Sequence, residues 1–252
     1  MAQISLQNKI VYGPIFSRRL GRSFGINLLP TNYKVCSFDC IYCQYGSTNS
    51  VTCSPDIEDL PKLEEVLEAV EKALLKPRTI DILTFSGNGE PTLHPNFPEI
   101  VQGVREIRDR LRPNLKIGLL SNSFMVWNKK IRGAIEHIDK AMLKLDAGDS
   151  GTFHAINRPA GGIQLSEIIK GLKEMRGLVI QSMLIDGQIS NISGIAYQSW
   201  AYAIKEINPS EVHIYSIERP SAENSVVRVG SRKLKQIERN LIDQYSINAR
   251  AF

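Results

Sequence analysis

The alternation of short apolar stretches with longer amphipathic ones constrains the fold of this chain most. Six apolar stretches are typical of β-strands, at residues 25–29, 79–85, 116–120, 140–145, 178–185 and 211–217. Six segments with apolar residues at helical spacing alternate with them, at residues 61–76, 99–112, 128–137, 164–176, 197–207 and 231–245. This order predicts an α/β fold of parallel strands joined by right-handed crossovers. A doubly wound sheet and a barrel-like sheet both satisfy it, and both place functional residues at the carboxyl ends of the strands.

The chain is long enough to bury a full core, and no segment divides it. A chain of 252 residues, 42% of them hydrophobic, should bury roughly three quarters of its unfolded surface. No stretch is rich enough in Pro, Gly or Ser to act as a linker, so we expect a single domain over residues 1–252. No apolar run approaches the about 18 residues of a membrane span, and the first residues contain no secretory apolar region. We therefore expect a protein of the reducing cytoplasm that does not enter a membrane.

Three of the four cysteines fall within eight residues. Cys36, Cys40 and Cys43 form a C-x3-C-x2-C pattern directly after the first predicted strand, where their thiolates could bind one soft-metal centre. Structural zinc prefers four ligands, and the fourth would have to be Cys53 or a distant histidine. An iron–sulfur cluster with three protein ligands leaves one iron open to another ligand. The spacing favours the cluster and leaves zinc as an alternative, and it gives Cys53 no role.

Polar residues at the ends of the later strands would meet the cysteines at the same edge of the sheet. Gly87 and Gly89 allow a close backbone approach to a ligand, and Glu90 can accept a hydrogen bond from an ammonium group. The two-residue period of a strand places Lys144 and Asp146 on one face, as a structural ion pair or as an active-site pair. Small or polar side chains suited to hydrogen bonding are Ser121, Asn122 and Gln181.

The cysteine loop resembles the signature of the radical S-adenosylmethionine (SAM) superfamily, C-x3-C-x-aromatic-C, in which Tyr42 fills the aromatic position. The resemblance implies a partial (β/α)6 TIM-like barrel, open on one side for substrate. It also implies that Cys36, Cys40 and Cys43 hold a 4Fe-4S cluster whose open iron chelates SAM. The reduced cluster would cleave SAM to a 5′-deoxyadenosyl radical, which would abstract hydrogen from the substrate. A donor of the flavodoxin or ferredoxin type would supply the electron.

The same resemblance assigns roles to the residues at the strand ends. The run from Gly87 to Glu90 is similar to the G-G-E segment that binds the methionine amino group in the family, although Asn88 departs from the usual glycine. Lys144 and Asp146 are the catalytic candidates, because the family contacts SAM at this strand end. The residues expected to bind the cofactor are Tyr42, Gly87, Asn88, Gly89, Glu90, Ser121, Asn122, Asp146, Gln181, Tyr215, Ser216 and Ile217, with the last three at the adenine.

Longer segments resemble one branch of this superfamily. They read G-P-I-F-S-R-R-L-G at 13–21, G-N-G-E-P-T-L-H-P at 87–95 and I-N-R-P at 156–159. The branch comprises compact iron–sulfur oxidoreductases grouped beside the wybutosine synthetases, which join pyruvate to methylated guanosine in tRNA. Those synthetases use a second cluster, and Cys53 is the one cysteine left over in this chain. The resemblance therefore does not assign their reaction to it.

Four arginines are the candidates for substrate binding. Arg18, Arg19, Arg158 and Arg219 are predicted on loops around the barrel opening, and a guanidinium suits a phosphate or carboxylate. The net charge of +5 permits an anionic partner without requiring one. The sequence leaves open a radical enzyme acting on an anionic metabolite, one that modifies RNA or activates a partner protein, and a non-catalytic metal module.

Overall fold

A mostly parallel sheet surrounded by helices forms the centre of the molecule. The structure is a computed structural model that describes residues 3–252. Within that range the strands are β1 (Val11–Ser17), β2 (Gly21–Ile26), β3 (Val35–Cys36), β4 (Ser50–Val51), β5 (Ile82–Phe85), β6 (Lys116–Ser121), β7 (Lys140–Lys144), β8 (Val179–Met183), β9 (Ile185–Gly187), β10 (Glu211–Tyr215), β11 (Val226–Arg228) and β12 (Ala249–Ala251). The α-helices are α1 (Leu63–Leu75), α2 (Phe97–Leu111), α3 (Lys129–Ile135), α4 (Ser150–Asn157), α5 (Leu165–Lys173), α6 (Gly194–Ile207) and α7 (Ser231–Tyr245).

The order of the strands decides between the two architectures that the sequence allows. The central sheet runs β1-β2-β5-β6-β7-β8-β10-β12, and its six middle strands pair in parallel in the order of the chain. A doubly wound sheet reverses its strand order at a switch point, and this sheet has no reversal. β1 lies antiparallel at one edge and β12 parallel at the other, and within residues 3–252 these edges do not pair. The sheet is an open barrel, so the predicted partial (β/α)6 barrel is confirmed.

Several boundaries differ from the prediction because pairing, not apolar character, sets the ends of a strand. The first parallel strand is Gly21–Ile26 instead of 25–29, since it pairs with β1 from Gly21 and with β5 from Ser23. The apolar Leu28 and Leu29 are buried in the loop that follows. The predicted strand 178–185 divides, because Ile185–Gly187 pairs with β11 in a separate antiparallel ribbon. The sequence analysis did not predict β1, β12 or α4.

Apolar residues at helical spacing attach the helices to the sheet. α1 buries Val66, Val70 and Leu74 on one face, and Lys76 before Pro77 ends it because a residue before proline disfavours the helical conformation. β5 is buried along its whole length, as expected for a strand covered on both faces. In residues 3–252, no helix is both long enough and apolar enough to cross a bilayer.

α6 packs unusually close to the carboxyl end of β7. Trp200 is fully buried, and its Nε1 donates to the Leu145 carbonyl at 3.0 Å. Ser199 Oγ donates to Asp149 at 2.9 Å, and Asp149 is the N-cap residue of α4. Gly148 lies between these contacts, and a Cβ there would come within 2.0 Å of the Ser199 carbonyl oxygen. The loop that leads from β7 past the barrel opening therefore requires a glycine at this point.

We expect Gly148→Ala to lower the free energy of unfolding by about 1–3 kcal/mol, because the added methyl group must displace helix backbone. Gly133→Ala is the matched control, since a Cβ at Gly133 meets nothing within 4 Å. It should raise stability by roughly 0.5–1 kcal/mol, as alanine favours helix over glycine. Urea unfolding followed by circular dichroism measures both changes. Equal stabilities of the two variants would contradict the close packing of α6.

Candidate active site

A cavity of about 400 Å³ lies at the carboxyl ends of the central strands. It collects most of the site residues that the sequence analysis proposed. Those that line it are Cys36, Cys40, Tyr42, Cys43, Gly87, Gly89, Glu90, Ser121, Asn122, Lys144, Gln181, Tyr215 and Arg19. The proposed residues outside its lining are Arg18, Asn88, Asp146, Arg158, Ser216, Ile217 and Arg219.

The cysteine loop is held on one side by the glycine loop that follows β5. Val35 in β3 donates its N–H to the Asn88 carbonyl at 3.0 Å, and its own carbonyl accepts from Glu90 N at 3.3 Å. Val35 thus forms a β-bridge with Gly89. A Cβ at Gly89 would lie 1.6 Å from the Val35 carbonyl oxygen, and the φ of Gly89 is +139°. Only glycine fits this contact, which explains the second glycine of the G-N-G-E segment.

The end of α4 and the residues that follow it hold the cysteine loop on its other side. Ile41 N donates to the Ile156 carbonyl at 3.0 Å, and Asp39 N donates to the carbonyls of Asn157 and Arg158, at 3.1 Å each. Ala160 N in turn donates to the Ser37 carbonyl at 2.8 Å. These backbone bonds explain why the I-N-R-P segment accompanies the cysteine motif. The loop is therefore fixed from two directions before any metal binds.

Each cysteine sulfur that faces the cavity has a different hydrogen-bond donor. Cys36 Sγ accepts from Asn122 Nδ2 at 3.5 Å, and Cys40 Sγ accepts from Asn157 Nδ2 at 3.4 Å. Cys43 Sγ accepts from the Lys34 ammonium at 3.0 Å. Burial raises the pKa of the Cys40 thiol to about 11 and raises that of Cys36 as well. These two thiols are thus protonated at neutral pH unless a cation replaces the proton.

The spacing of these side chains bears on which metal centre they can hold. In the part of the chain that the structure describes, no three His, Cys, Asp or Glu side chains are close enough to surround a single metal ion. Zinc requires such a compact set of ligands. Cys53, the fourth cysteine, lies exposed outside the cavity, so it does not complete a four-thiolate zinc site with the other three.

Glu90 presents a buried carboxylate to the cavity. It accepts from Thr92 N at 3.0 Å and from Asn122 N at 2.5 Å. Burial raises the pKa of Glu90, and these hydrogen bonds oppose the rise. Ser121, whose Oγ accepts from Ser123 N at 3.0 Å, lies beside it. A carboxylate fixed in this way can receive an ammonium group without moving.

Asn88 lies in the G-N-G-E segment but not at the cavity. Its Oδ1 accepts from Gln7 N at 2.8 Å, and its Nδ2 donates to the carbonyls of Gln7 and Pro30. The Asn88 side chain is fully buried and all its hydrogen-bonding groups have protein partners. Its position explains the departure from glycine, because the asparagine ties the loop to the N-terminal segment.

Asp146 lies behind the cavity wall, where it joins several polar groups. One of its oxygens accepts from Tyr42 OH and from Asn157 Nδ2, the latter at 2.8 Å, and the other accepts from Met183 N at 2.8 Å. The Lys144 ammonium is 3.8 Å from Asp146 Oδ1 and 3.0 Å from Tyr215 OH. Burial lowers the pKa of Lys144, but the charge of Asp146 and the contact with Tyr215 outweigh it and raise the pKa above its usual value.

Arg19 reaches the cavity from the turn between β1 and β2. Its Nη1 donates to Gln181 Oε1 at 2.8 Å, and its guanidinium lies 4.0 Å from the centre of the Tyr215 ring. Within residues 3–252 it forms no ion pair with a carboxylate. Gln181 is held in turn by the Met142 carbonyl, to which its Nε2 donates at 3.1 Å. Arg19 is the one proposed substrate arginine that the structure brings to the cavity.

The remaining proposed residues have other surroundings. Arg18 pairs with Glu218 at 3.2 Å, Arg158 pairs with Glu223, and Arg219 is exposed. Ser216 Oγ accepts from Val229 N at 2.9 Å, which ties the end of β10 to the segment after β11, and Ile217 is buried beside it.

Two residues of the site were missed by reasoning from sequence. Lys34 lies two positions before Cys36, the first cysteine of the motif, and a lysine there carries no distinctive signal. Asn157 donates to Cys40, Tyr42 and Asp146. It belongs to the I-N-R-P segment that the branch resemblance included, but in that segment the sequence predicted a role for the neighbouring Arg158.

Comparison with known proteins identifies the family of this chain. Residues 33–189, more than half of the chain, match the Radical SAM superfamily. The chain belongs to that superfamily. Radical SAM enzymes use a 4Fe-4S cluster and SAM, need a reductant and act on a substrate, as the cysteine loop led us to expect. UPF0026 protein MJ1312 of Methanocaldococcus jannaschii is 32% identical over 223 residues, which cover 86% of this chain and 66% of that protein. The chain thus spans about two thirds of this relative.

Solved structures share the fold at low sequence identity. A radical SAM methyltransferase from Sphaerobacter thermophilus has a TM-score of 0.66 and 16% identity, over 94% of this chain and 67% of that one. TYW1 with a lysine-pyruvate adduct bound has a TM-score of 0.59 and 15% identity, over 89% of this chain and 75% of that one. The family match confirms the predicted superfamily, and these fold likenesses confirm the partial barrel.

We expect Asn157→Ala to lower the free energy of unfolding by about 1–3 kcal/mol, because it removes a donor from the buried Asp146 carboxylate. Asn248→Ala deletes an amide whose hydrogen bond to the Ser210 carbonyl is exposed. That control should change stability by less than about 0.5 kcal/mol. Denaturant unfolding of both variants tests the difference. An Asn157→Ala protein as stable as the control would mean that water replaces the amide at no cost.

Proposed function

We propose that this protein is a radical SAM enzyme in which Cys36, Cys40 and Cys43 hold the 4Fe-4S cluster. The observation that carries the proposal is the convergence of these cysteines on one cavity with the glycine loop and the buried Glu90. Main-chain hydrogen bonds hold the cysteine loop on two sides and keep its cysteines at the cavity. When bound, the reduced cluster supplies the electron that releases a 5′-deoxyadenosyl radical from SAM.

The cavity lining offers a complementary group for each part of SAM. Glu90 would accept from the methionine ammonium, and the backbone at Gly89 lies close enough for a ligand to approach it. Tyr42, Ser121, Asn122 and Gln181 would contact the rest of the ligand from the surrounding strands. The adenine would lie at Tyr215, with Ser216 and Ile217 supporting the strand end behind it. We infer for Asn88 a supporting role, because its side chain is used by Gln7 and Pro30.

Lys144 and Asp146 would act electrostatically. Asp146 is buried away from the cavity, and its hydrogen bonds position Tyr42 and the Met183 backbone. Asp146 raises the pKa of Lys144 and so favours its ammonium form. We therefore infer that Lys144 orients or neutralises an anionic group.

The substrate that we propose is a small molecule with a carboxylate or phosphate. Arg19 lines the cavity without a carboxylate partner, and most of its N–H donors have no protein acceptor among residues 3–252. Arg18 and Arg158 are already paired with glutamates, so they are weaker candidates, as is the exposed Arg219. The proposed electron donor is of the flavodoxin or ferredoxin type, and the proposed location is the reducing cytoplasm.

Anaerobic loading with iron and sulfide, followed by dithionite and SAM, tests the function directly. We expect the wild-type protein to bind about four irons per chain and to form 5′-deoxyadenosine. Cys43→Ala should lose the product, because it removes one of three ligands. Cys53→Ala, at an exposed cysteine outside the cavity, should keep both iron and product. A wild-type protein that takes up a single zinc, or that loads iron without cleaving SAM, would overturn the proposal.

Arg19→Met tests the anionic substrate. A panel of carboxylates and phosphates is screened for compounds that accelerate 5′-deoxyadenosine formation above the rate without substrate. We expect Arg19→Met to raise the half-maximal concentration of an accelerating compound by roughly tenfold to a hundredfold, because a hydrogen bond to a charged group contributes about 1.5–3 kcal/mol. Arg18→Met removes an exposed arginine that pairs with Glu218, and it should leave the half-maximal concentration unchanged. Acceleration by neutral compounds alone, or equal effects of both variants, would refute an anion site at Arg19.

A further inference from the structure

Lys34 places a buried ammonium group against the cysteine loop. Lys34 as a whole is 3% exposed to solvent. Its Nζ donates to Cys43 Sγ at 3.0 Å and to the Gly46 carbonyl at 2.7 Å. The backbone on either side is held as well, since Lys34 N donates to Asn49 Oδ1 at 3.0 Å and the Lys34 carbonyl accepts from Ser50 N at 3.1 Å. The ammonium is therefore positioned by the fold and cannot swing into solvent without breaking these contacts.

No carboxylate within residues 3–252 pairs with this ammonium. An unpaired buried charge is costly, so natural proteins pair such groups or leave them neutral. The groups near Lys34 that can carry negative charge are the thiols of Cys36, Cys40 and Cys43. Cysteines that bind a metal are thiolates, so a cluster held by these residues would place negative charge beside the Lys34 ammonium.

Lys34 also distinguishes Cys43 from the other two ligands. Cys36 and Cys40 receive hydrogen bonds from the neutral amides of Asn122 and Asn157, at 3.5 and 3.4 Å. Cys43 receives a shorter bond from a cation. Charge-assisted hydrogen bonds are about twice as strong as neutral ones. The potential of an iron–sulfur cluster depends on the net charge around it and on hydrogen bonds to its sulfurs.

We propose, on the basis of the function proposed above, that Lys34 is a positioning residue whose ammonium balances the thiolate charge and sets the reduction potential of the cluster through Cys43. Reduction adds one negative charge to the cluster, and a fixed positive charge beside a ligand sulfur stabilises that state. Lys34 thus raises the potential and makes the cluster easier for the electron donor to reduce. It needs no contact with SAM or substrate for this effect.

A redox titration of the loaded protein without SAM tests this role. Wild-type, Lys34→Met, Lys34→Gln and Lys34→Arg proteins are loaded with iron and sulfide, and the reduced cluster is quantified by electron paramagnetic resonance at defined potentials. At the wild-type midpoint we expect the ratio of reduced to oxidised cluster to fall about tenfold in Lys34→Met, which is 59 mV for one electron. Lys34→Gln keeps a hydrogen-bond donor but not the charge, so its midpoint potential should lie between those of the wild type and Lys34→Met. Lys34→Arg should restore most of the potential.

Lys116→Met is the matched control, because it removes the same charge from an exposed residue at the start of β6. Its midpoint should equal that of the wild type. A Lys34→Met cluster with the wild-type midpoint would overturn the role of Lys34 and leave the proposed function intact, whereas a wild-type protein without a cluster would overturn the function itself. If Lys34→Met takes up no iron, the midpoint potentials of Lys34→Gln and Lys34→Arg test the role of Lys34 instead. Equal midpoints for these two variants would refute the proposal.

Discussion

The backbone contact between Val35 and Gly89 is the constraint on which the site depends. It joins the cysteine loop to the glycine loop through paired main-chain hydrogen bonds. The end of α4 and the residues that follow it make a second set of such bonds at Ser37, Asp39 and Ile41. Main-chain bonds hold a loop without using its side chains. The cysteine, tyrosine and glutamate side chains therefore remain free to face the cavity, which is what a site for a cluster and a nucleotide requires.

Three cations border the cavity, and their surroundings suit them to different tasks. The Lys144 ammonium lies 3.8 Å from the Asp146 carboxylate, which favours its charged form and holds it near Asp146. Lys34 has no carboxylate partner among residues 3–252, and its ammonium donates to Cys43 Sγ. Arg19 contacts an amide and an aromatic ring, and within the same described range it pairs with no carboxylate. The charge that lacks a protein partner is the one with the most to gain from binding an anionic ligand.

The N-terminal segment and the β1–β2 hairpin complete the enclosure. Ile4 N donates to the Gln44 carbonyl at 2.8 Å, next to Cys43, and Gln7 contacts Asn88 in the glycine loop. Gln3 Nε2 donates to the Ser221 carbonyl at 2.8 Å in the segment after β10. The hairpin turn brings Arg19 to Tyr215, at the end of β10, and Arg18 to Glu218, in the segment that follows β10. Elements with weak sequence signals thus border the open side of the barrel.

The local pattern of residues determined the six parallel strands, the helices between them and the cysteine centre, because strand and helix periodicity and ligand spacing are properties of short segments. The roles of Asn88, Asp146 and the arginines could not be predicted in the same way. Asn88 lies in a ligand-binding motif yet bonds to Gln7 and Pro30, and Arg18 and Arg19 are adjacent in sequence yet have opposite surroundings. Lys34 meets Cys43 only because the loop turns back on itself. The chemistry of these groups depends on which partner lies within about 3 Å, and only the tertiary structure decides that distance.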